Sequence, residues 1–538
     1  MTSLPTVAEY MADVTTDKVI AAELLNDRHD PAKVAFTCID ANLNAVDLTY
    51  GELRERSEKV ASALSKLGVK PGDHVATLMS KSADMLATLL GIWRLGAVEV
   101  PLFTAFAWPA IELRLTASAA KVVVVDADQR TKIQDTAATV VISGSASEYD
   151  DAAQVPEDLS LEALVAQEEP GFPAFAGTKD TPLVLIFTSG TTGHPKGVPV
   201  PIFALAAFRQ YIEASLDVRD EDVFWNAADP GWALGLYYGV LGAMVSGKRN
   251  LFLRAGFDAK TCFAVMEKFK VTNFLSAPTM YRSLRAAGIP EGSNFSLRRA
   301  SSAGEPLTPE VSVWSKEHLG SEVLDQYGQT ELGMFIVNAW ADELARDARP
   351  LSMGHALPGF KCEVLENESD VIAAPNQPGR VAVNVPESPL AWFHGYKDAP
   401  ERTAQRFSAD GKWYYTGDAG RRDEDGYFYF QSRDDDIILM AGYRIGPFDV
   451  ESALATHPAV QESAVVGEPD EIRGEVVVAY VVLSNGHEGS DALTDELKKH
   501  VKSEYSAHAY PRRVVYVESL PKTPSGKIQR FVLREQAK

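Results

Sequence analysis

The sequence predicts an α/β protein in two parts. A large N-terminal domain of parallel or mixed sheets layered with helices takes residues 1–432, and a small α+β C-terminal domain takes 433–538. Three observations predict this. At 538 residues the chain is too long for one hydrophobic core. Over roughly the first 430 residues, short apolar runs alternate with longer segments of helical periodicity, the pattern of parallel strands covered by helices. The pattern then breaks at a run of charge, Arg433, Asp434, Asp435 and Asp436.

The elements follow in order. Residues 50–67 read as an amphipathic helix, with Leu53, Val60, Leu64 and Leu67 on one side. The run 75–79 is a short strand and 83–95 a second helix. Residues 121–125 and 140–142 have the apolar character of buried strands, whereas 143–180 is acidic and proline-bearing, the composition of a surface connection. The apolar run 183–187 empties into a glycine-rich loop. Helices at 257–270 and 276–288 flank a strand at 271–275. In the C-terminal part, 437–440 is a short apolar run, 476–483 and 513–517 are strands, and 491–505 is a helix. The loop 521–527, Pro-Lys-Thr-Pro-Ser-Gly-Lys, reads by composition as a solvated basic turn.

Composition narrows the function classes. Hydrophobic residues make up 46% of the chain, an ordinary share for a globular protein. Fifty-two basic against 74 acidic residues give a formal charge of −22, which argues against a nucleic-acid or anionic-membrane surface. An anionic ligand would therefore need locally concentrated cations. Cys38, Cys262 and Cys362 lie far apart, with no CxxC or HExxH spacing, so neither a disulfide framework nor a zinc site is expected. The thiols fit a reducing cytoplasm. The first 14 residues lack the basic start and long apolar stretch of a signal peptide. The most apolar long segment, 85–102, is broken by Arg94 and Glu99, so no membrane span is expected.

The most informative stretch is 188–197, Thr-Ser-Gly-Thr-Thr-Gly-His-Pro-Lys-Gly. Its glycines let backbone N–H groups turn inward, its hydroxyls donate, and its lysine carries charge, which together suit phosphate. It is not a Walker A sequence, and alone it could be a solvated turn. Ser302-Ala303-Gly304-Glu305-Pro306 follows, then Asp325-Gln326-Tyr327-Gly328-Gln329-Thr330-Glu331, then Tyr415-Thr416-Gly417-Asp418. Each is weak by itself; their joint order and spacing are not.

By these motifs the chain resembles the adenylate-forming superfamily of acyl-CoA synthetases, peptide-synthetase adenylation domains and beetle luciferase, over nearly its whole length. It is most similar to the medium-chain acyl-CoA synthetases and the acetyl-CoA synthetase-like branch, with Trp-Ala-Leu-Gly at 232–235 and Gly-Tyr-Arg-Ile-Gly-Pro at 442–447. The resemblance implies ATP, Mg²⁺ and coenzyme A as cosubstrates and a small carboxylic acid as substrate. The acid forms an acyl-adenylate and pyrophosphate, and the thiol of coenzyme A then displaces AMP. It also implies a mobile C-terminal domain.

The resemblance assigns roles. Thr188, Ser189, Gly190, Thr191, Thr192, Gly193 and Lys196 would hold the β- and γ-phosphates. Tyr327 would face adenine, lined by Gly304, Glu305 and Pro306, with Asp325, Gln326, Gly328 and Gln329 in the same motif. Thr330 would donate to the α-phosphate and Glu331 would ligate Mg²⁺, a cation that prefers carboxylate and phosphate oxygens. Asp418 would take both ribose hydroxyls, and Arg433 the ribose or a phosphate. Lys527 would offset transition-state charge as the catalytic lysine. Asp435 matches the hinge. Ala441, Gly442 and Tyr443 would meet the pantetheine arm, with Arg444, Arg473 and Lys502 near coenzyme A or the adenylate. Trp232, Ala233, Leu234 and Gly328 would line the acid pocket. Acetate-specific relatives carry a bulky Trp where this chain has Gly328, so a channel beyond the carboxylate is expected here, for a short- to medium-chain acid. The chain departs from the family at Ser432, often Gly, and at Leu439, often polar.

Other readings share part of this pattern. A stand-alone enzyme could load a carrier-protein thiol, or the acid could be aromatic. A non-catalytic acyl-nucleotide-binding protein would not need Lys527, Glu331 and Thr330. The oligomeric state is not legible.

Overall fold

The computed structural model describes residues 3–144, 155, 157–188, 196–256, 258–433, 436–440, 443–470, 473–506, 508–523 and 528–536, with backbone alone at 443 and 444. Two large mixed sheets organise the N-terminal part. A seven-stranded sheet runs Leu159–Ser160, Thr139–Ser143, Val122–Asp126, His74–Leu78, Val98–Pro101, Pro182–Thr188, Lys196–Pro201. Its strands are parallel up to Pro182–Thr188, which pairs antiparallel with Lys196–Pro201. The glycine-rich loop therefore joins two arms of a hairpin.

The second sheet has 13 strands. Six of them, Val323–Gln329, Arg299–Ala303, Asn273–Ser276, Phe224–Asn226, Asn250–Leu253 and Val34–Ile39, form a continuous parallel block. Antiparallel strands extend it on both sides, including Gly333–Val337, Trp413–Arg422 and Phe428–Arg433.

Helix Tyr50–Lys66 begins at a capping box in which Thr49 and Glu52 bond each other's backbone N–H. Helix Ala83–Leu95 is capped by Ser82 and ends at Gly96, whose φ of 79° is the left-handed stop that glycine favours. All its residues from Met85 to Leu95 are buried, Arg94 included. That explains its apolar character all round: the largest core cluster places it with Val75 and Val184 of one sheet and Phe36 and Leu275 of the other. Arg94 is tolerated because its guanidinium grips Asp27 at 2.6 and 2.9 Å.

Several expected boundaries shift. Segment 143–180 is more than a connection, because Leu159–Ser160 adds an edge strand and Leu161–Val165 a short helix. The helix expected at 257–270 is Ala259–Lys268, started by Asp258 accepting from the Thr261 N–H. The strand expected at 271–275 is Asn273–Ser276. Arg433 ends a strand of the large sheet, opposite Asp418.

Five further strands form a sheet of their own: Tyr443–Ile445, Ile438–Met440, Gly474–Leu483, Val460–Asp470 and Arg513–Tyr516. Helices Pro447–Ala455, Asp491–Glu504 and Arg530–Gln536 accompany it. Among the described residues no helix is long and apolar enough to cross a membrane.

Candidate functional site

Strand ends of both large sheets surround one cavity of about 2000 Å³. Its wall brings together Thr188, Lys196, Trp232, Ala233, Leu234, Gly304, Glu305, Pro306, the whole run Asp325–Glu331, Asp418 and Arg433. Lys522 and Arg530 reach the same cavity from the C-terminal part. Ser189, Gly190, Thr191, Thr192, Gly193, Asp435, Ala441, Gly442 and Lys527 lie outside the described residues, as do the side chains of Tyr443 and Arg444.

Asp418 is the centre of a polar cluster. Its Oδ2 accepts from the Tyr327 hydroxyl at 2.5 Å and from Gln329 Nε2 at 2.7 Å. Its Oδ1 lies 3.3 Å from Arg433 Nε. Burial pushes the Asp418 carboxyl above its ordinary range, and Arg433 opposes the shift. Gln329 is itself fixed, accepting from Tyr414 at 2.9 Å and donating to the Thr416 carbonyl at 2.8 Å. Tyr327 packs edge-on against Phe335 at 5.3 Å, which leaves the ring part of the cavity wall.

The flanking motif residues divide by what they touch. Glu305 accepts from Thr279 and Arg282, both at 2.7 Å. Gln326 is buried, its amide accepting from Ser215 at 2.7 Å and donating to Asn338 at 2.8 Å, so it braces the strand. Asp325 is pushed up to about 7 by burial. Gly304 has φ of 97° with nothing within 4 Å of a β-carbon, so its backbone turn is what requires glycine.

Glu331 is buried, and its Oε1 accepts from the Tyr396 hydroxyl at 2.6 Å. Arg406 Nη2 stands 4.0 Å from the same oxygen. Lys196 Nζ lies over the Tyr396 ring, 5.0 Å from its centre. Burial, then Arg406, lower the Lys196 ammonium below its ordinary value, while Glu331 opposes this. Arg402 and Arg406 also line the cavity. The locally concentrated cations that a −22 chain needs are thus Lys196, Arg402, Arg406 and Arg433. Sequence reasoning missed Tyr396, Arg402 and Arg406, which carry no motif of their own. Among the described residues no cluster of three acidic, His or Cys side chains could hold a metal alone. Among the described residues none donates a hydrogen bond to Glu331 Oε2, and this one carboxylate suits Mg²⁺ shared with phosphate oxygens.

The expectation at Gly328 needs correction. A β-carbon there would meet the Gly333 carbonyl oxygen at 2.2 Å and Met334 Cα at 2.6 Å. The register shift between Tyr327 and Gly328, opposite Gly333–Val337, brings the two backbones together. Glycine is required for close approach, and a side chain would not simply extend into the cavity. Trp232 packs on Phe103 and Phe106, each at 5.5 Å. Tyr237 stacks on Phe208 at 4.6 Å and donates to the Thr330 carbonyl at 2.9 Å.

Arg473 and Lys502 lie elsewhere. Arg473 is exposed, 4.0 Å from Asp470. Lys502 Nζ stands 3.9 Å from the centre of the Tyr510 ring, and Arg512 lies 3.8 Å from the same ring. Leu439 is exposed at 51%.

Comparison with known proteins adds to this geometry. A family described as AMP-binding enzyme matches residues 26–396, and AMP-binding enzyme C-terminal domain matches 449–527. The chain is 35% identical to the acetyl-coenzyme A synthetase of Bacillus subtilis, over 96% of this chain and 91% of that one. It is 34% identical to the mitochondrial acyl-coenzyme A synthetase ACSM5 of Homo sapiens, over 94% and 87%. Among solved structures, a Brucella canis acyl-CoA synthetase aligns with a TM-score of 0.76 at 40% identity, over 99% and 97%.

Proposed function

The chain belongs to the AMP-binding enzyme family, and from that premise we propose how its cavity works. The protein is an AMP-forming acid–CoA ligase that uses ATP, Mg²⁺ and coenzyme A. A carrier-protein thiol is not favoured as acceptor, because the similar proteins are CoA synthetases.

In the first step a carboxylate oxygen bonds to the α-phosphorus of ATP, and the bond from that phosphorus to the bridging oxygen breaks, releasing pyrophosphate. In the second, the thiol sulfur of coenzyme A bonds to the acyl carbon, AMP leaves, and the thiol proton is lost. The substrate is its own nucleophile, so the protein positions groups and offsets charge.

Asp418 takes the ribose hydroxyls, since a carboxylate accepts two donors. Tyr327, locked by its bond to Asp418, presents its ring to adenine beside Gly304 and Pro306. Lys196, Thr188 and the loop between them take the β- and γ-phosphates. Thr330 donates to the α-phosphate. Glu331 would hold Mg²⁺, and the ion would supply neutralising charge at the phosphates. Lys527 acts in the first step only; the part of the chain beyond Asp435 then turns about that residue, while Arg433 stays in the large sheet beside Asp418. In the second step Ala441, Gly442 and Tyr443 meet the pantetheine arm, with Arg444, Arg473 and Lys502 toward coenzyme A or the adenylate; Arg512, which shares the Tyr510 ring with Lys502, adds positive charge for an anionic ligand.

The acid lies against Trp232, Ala233, Leu234 and Tyr237, and is a short- to medium-chain acid. The observation that carries this reading is the single cavity shared by Asp418, Tyr327, Glu331 and Lys196 with the aromatic wall at Trp232. The three cysteines form no disulfide, which supports a cytoplasmic setting.

A carboxylic-acid panel tests the substrate, with acid-dependent ATP–pyrophosphate exchange and CoA-thioester formation as readouts. Each buried CH₂ should favour binding by about 0.8 kcal/mol until the wall is reached. Acetate as the best acid would refute the assignment.

A further inference from the structure

Tyr396 touches three of the site's charged groups at once. Its hydroxyl donates to Glu331 Oε1 at 2.6 Å and accepts from Arg406 Nε at 3.0 Å, and its ring lies under Lys196 Nζ at 5.0 Å. We propose that Tyr396 is a positioning residue that holds Glu331 open for Mg²⁺, with Arg406 holding Tyr396 in turn. This rests on the reading of Glu331 as the Mg²⁺ carboxylate.

The surroundings make the chain of contacts rigid. Tyr396 is 6% exposed, and its ring packs against Phe393 at 5.0 Å. Its backbone N–H donates to Thr403 Oγ1 at 2.9 Å. The next residue donates its N–H to the Gly197 carbonyl at 2.8 Å, tying the segment to the strand that begins with Lys196. Arg406 is anchored at its other end, where Nη1 donates to the Thr416 carbonyl at 2.9 Å. Gly417 leaves room for it, since a β-carbon there would come within 2.7 Å of that nitrogen.

The order of groups matters chemically. An arginine beside a buried carboxylate ordinarily pairs with it through two nitrogens. Here Arg406 Nη2 stops at 4.0 Å from Glu331 Oε1, and the hydroxyl of Tyr396 lies between Nε and that oxygen. The phenol thus satisfies one carboxylate oxygen with a neutral donor. It keeps the guanidinium from capping both oxygens, which leaves Oε2 for a cation. Hydrogen-bond partners of this kind typically set metal affinity about 10–100-fold.

The test uses the full-length protein with ATP and Mn²⁺ as the probe ion, read by electron paramagnetic resonance, and with ATP alone, read by calorimetry. Tyr396→Phe keeps the ring under Lys196 and removes the hydroxyl. It should weaken Mn²⁺ binding to the ATP complex about 10–100-fold, leaving metal-free ATP affinity unchanged. Wild-type Mn²⁺ affinity in this variant would overturn the proposal, and so would an equal loss of metal-free ATP affinity. Glu331→Gln separates the two levels. If it too binds Mn²⁺ as wild type does, the metal carboxylate itself is misassigned; if it alone loses Mn²⁺, only the role of Tyr396 falls.

Discussion

At the scale of single residues, Gly328 shows how one position can mislead. The missing side chain suggests empty space, yet the β-carbon direction is filled by the Gly333 carbonyl and by Met334. Gly328→Ala should therefore destabilise the protein by about 1–3 kcal/mol, seen as a lower urea midpoint at unchanged slope. An unchanged midpoint would mean that the two backbones can part at no cost. The cavity residues Tyr327, Asp418 and Glu331 were more legible, because each sits in a motif whose order is informative. Tyr396 and Arg406 were not. A tyrosine and an arginine ten residues apart carry no local signal, and only the packing of 393–406 against Thr416 and Glu331 gives them a role.

At the scale of elements, apolar periodicity made the helices readable. Tyr50–Lys66 and Ala83–Leu95 fall within one residue of expectation, and the fold fixes their starts with caps at Thr49 and Ser82 that the periodicity does not show. The strand Leu159–Ser160 has two residues and no period to read, so only its pairing with Thr139–Ser143 defines it. The hairpin around the glycine-rich loop was hidden for a related reason, since an apolar run does not disclose the direction of its neighbour. The central strand Val98–Pro101 carries a further consequence. Glu99 is fully buried there, accepts from Thr77 at 2.9 Å, and is pushed up to about 8 by burial from an ordinary 4.5. A carboxyl with a raised folded value keeps its proton when the unfolded chain has released its own. Stability from this group is therefore complete below about pH 4.5 and is lost progressively as pH rises toward 8. Glu99→Gln should flatten that decline, as followed by chemical denaturation between those pH values. The same slope in wild type and variant would show that Glu99 ionises freely in the fold.

At the scale of the whole molecule, the cations at the cavity stand against a chain of net charge −22, and the C-terminal part supplies some of the cavity wall through Lys522 and through Arg530 of helix Arg530–Gln536. In the proposed mechanism the two steps use two arrangements of that C-terminal part. Asp435→Pro should spare adenylate formation and slow thioester formation, because proline fixes φ at the turning point. Undiminished thioester formation by that variant would remove Asp435 as the hinge. The most direct test of the account compares the two half-reactions in Lys527→Ala. Adenylate formation should fall about 10²–10³-fold, while thioester formation from supplied acyl-adenylate should stay near the wild-type rate. An equal fall in both half-reactions would contradict the account.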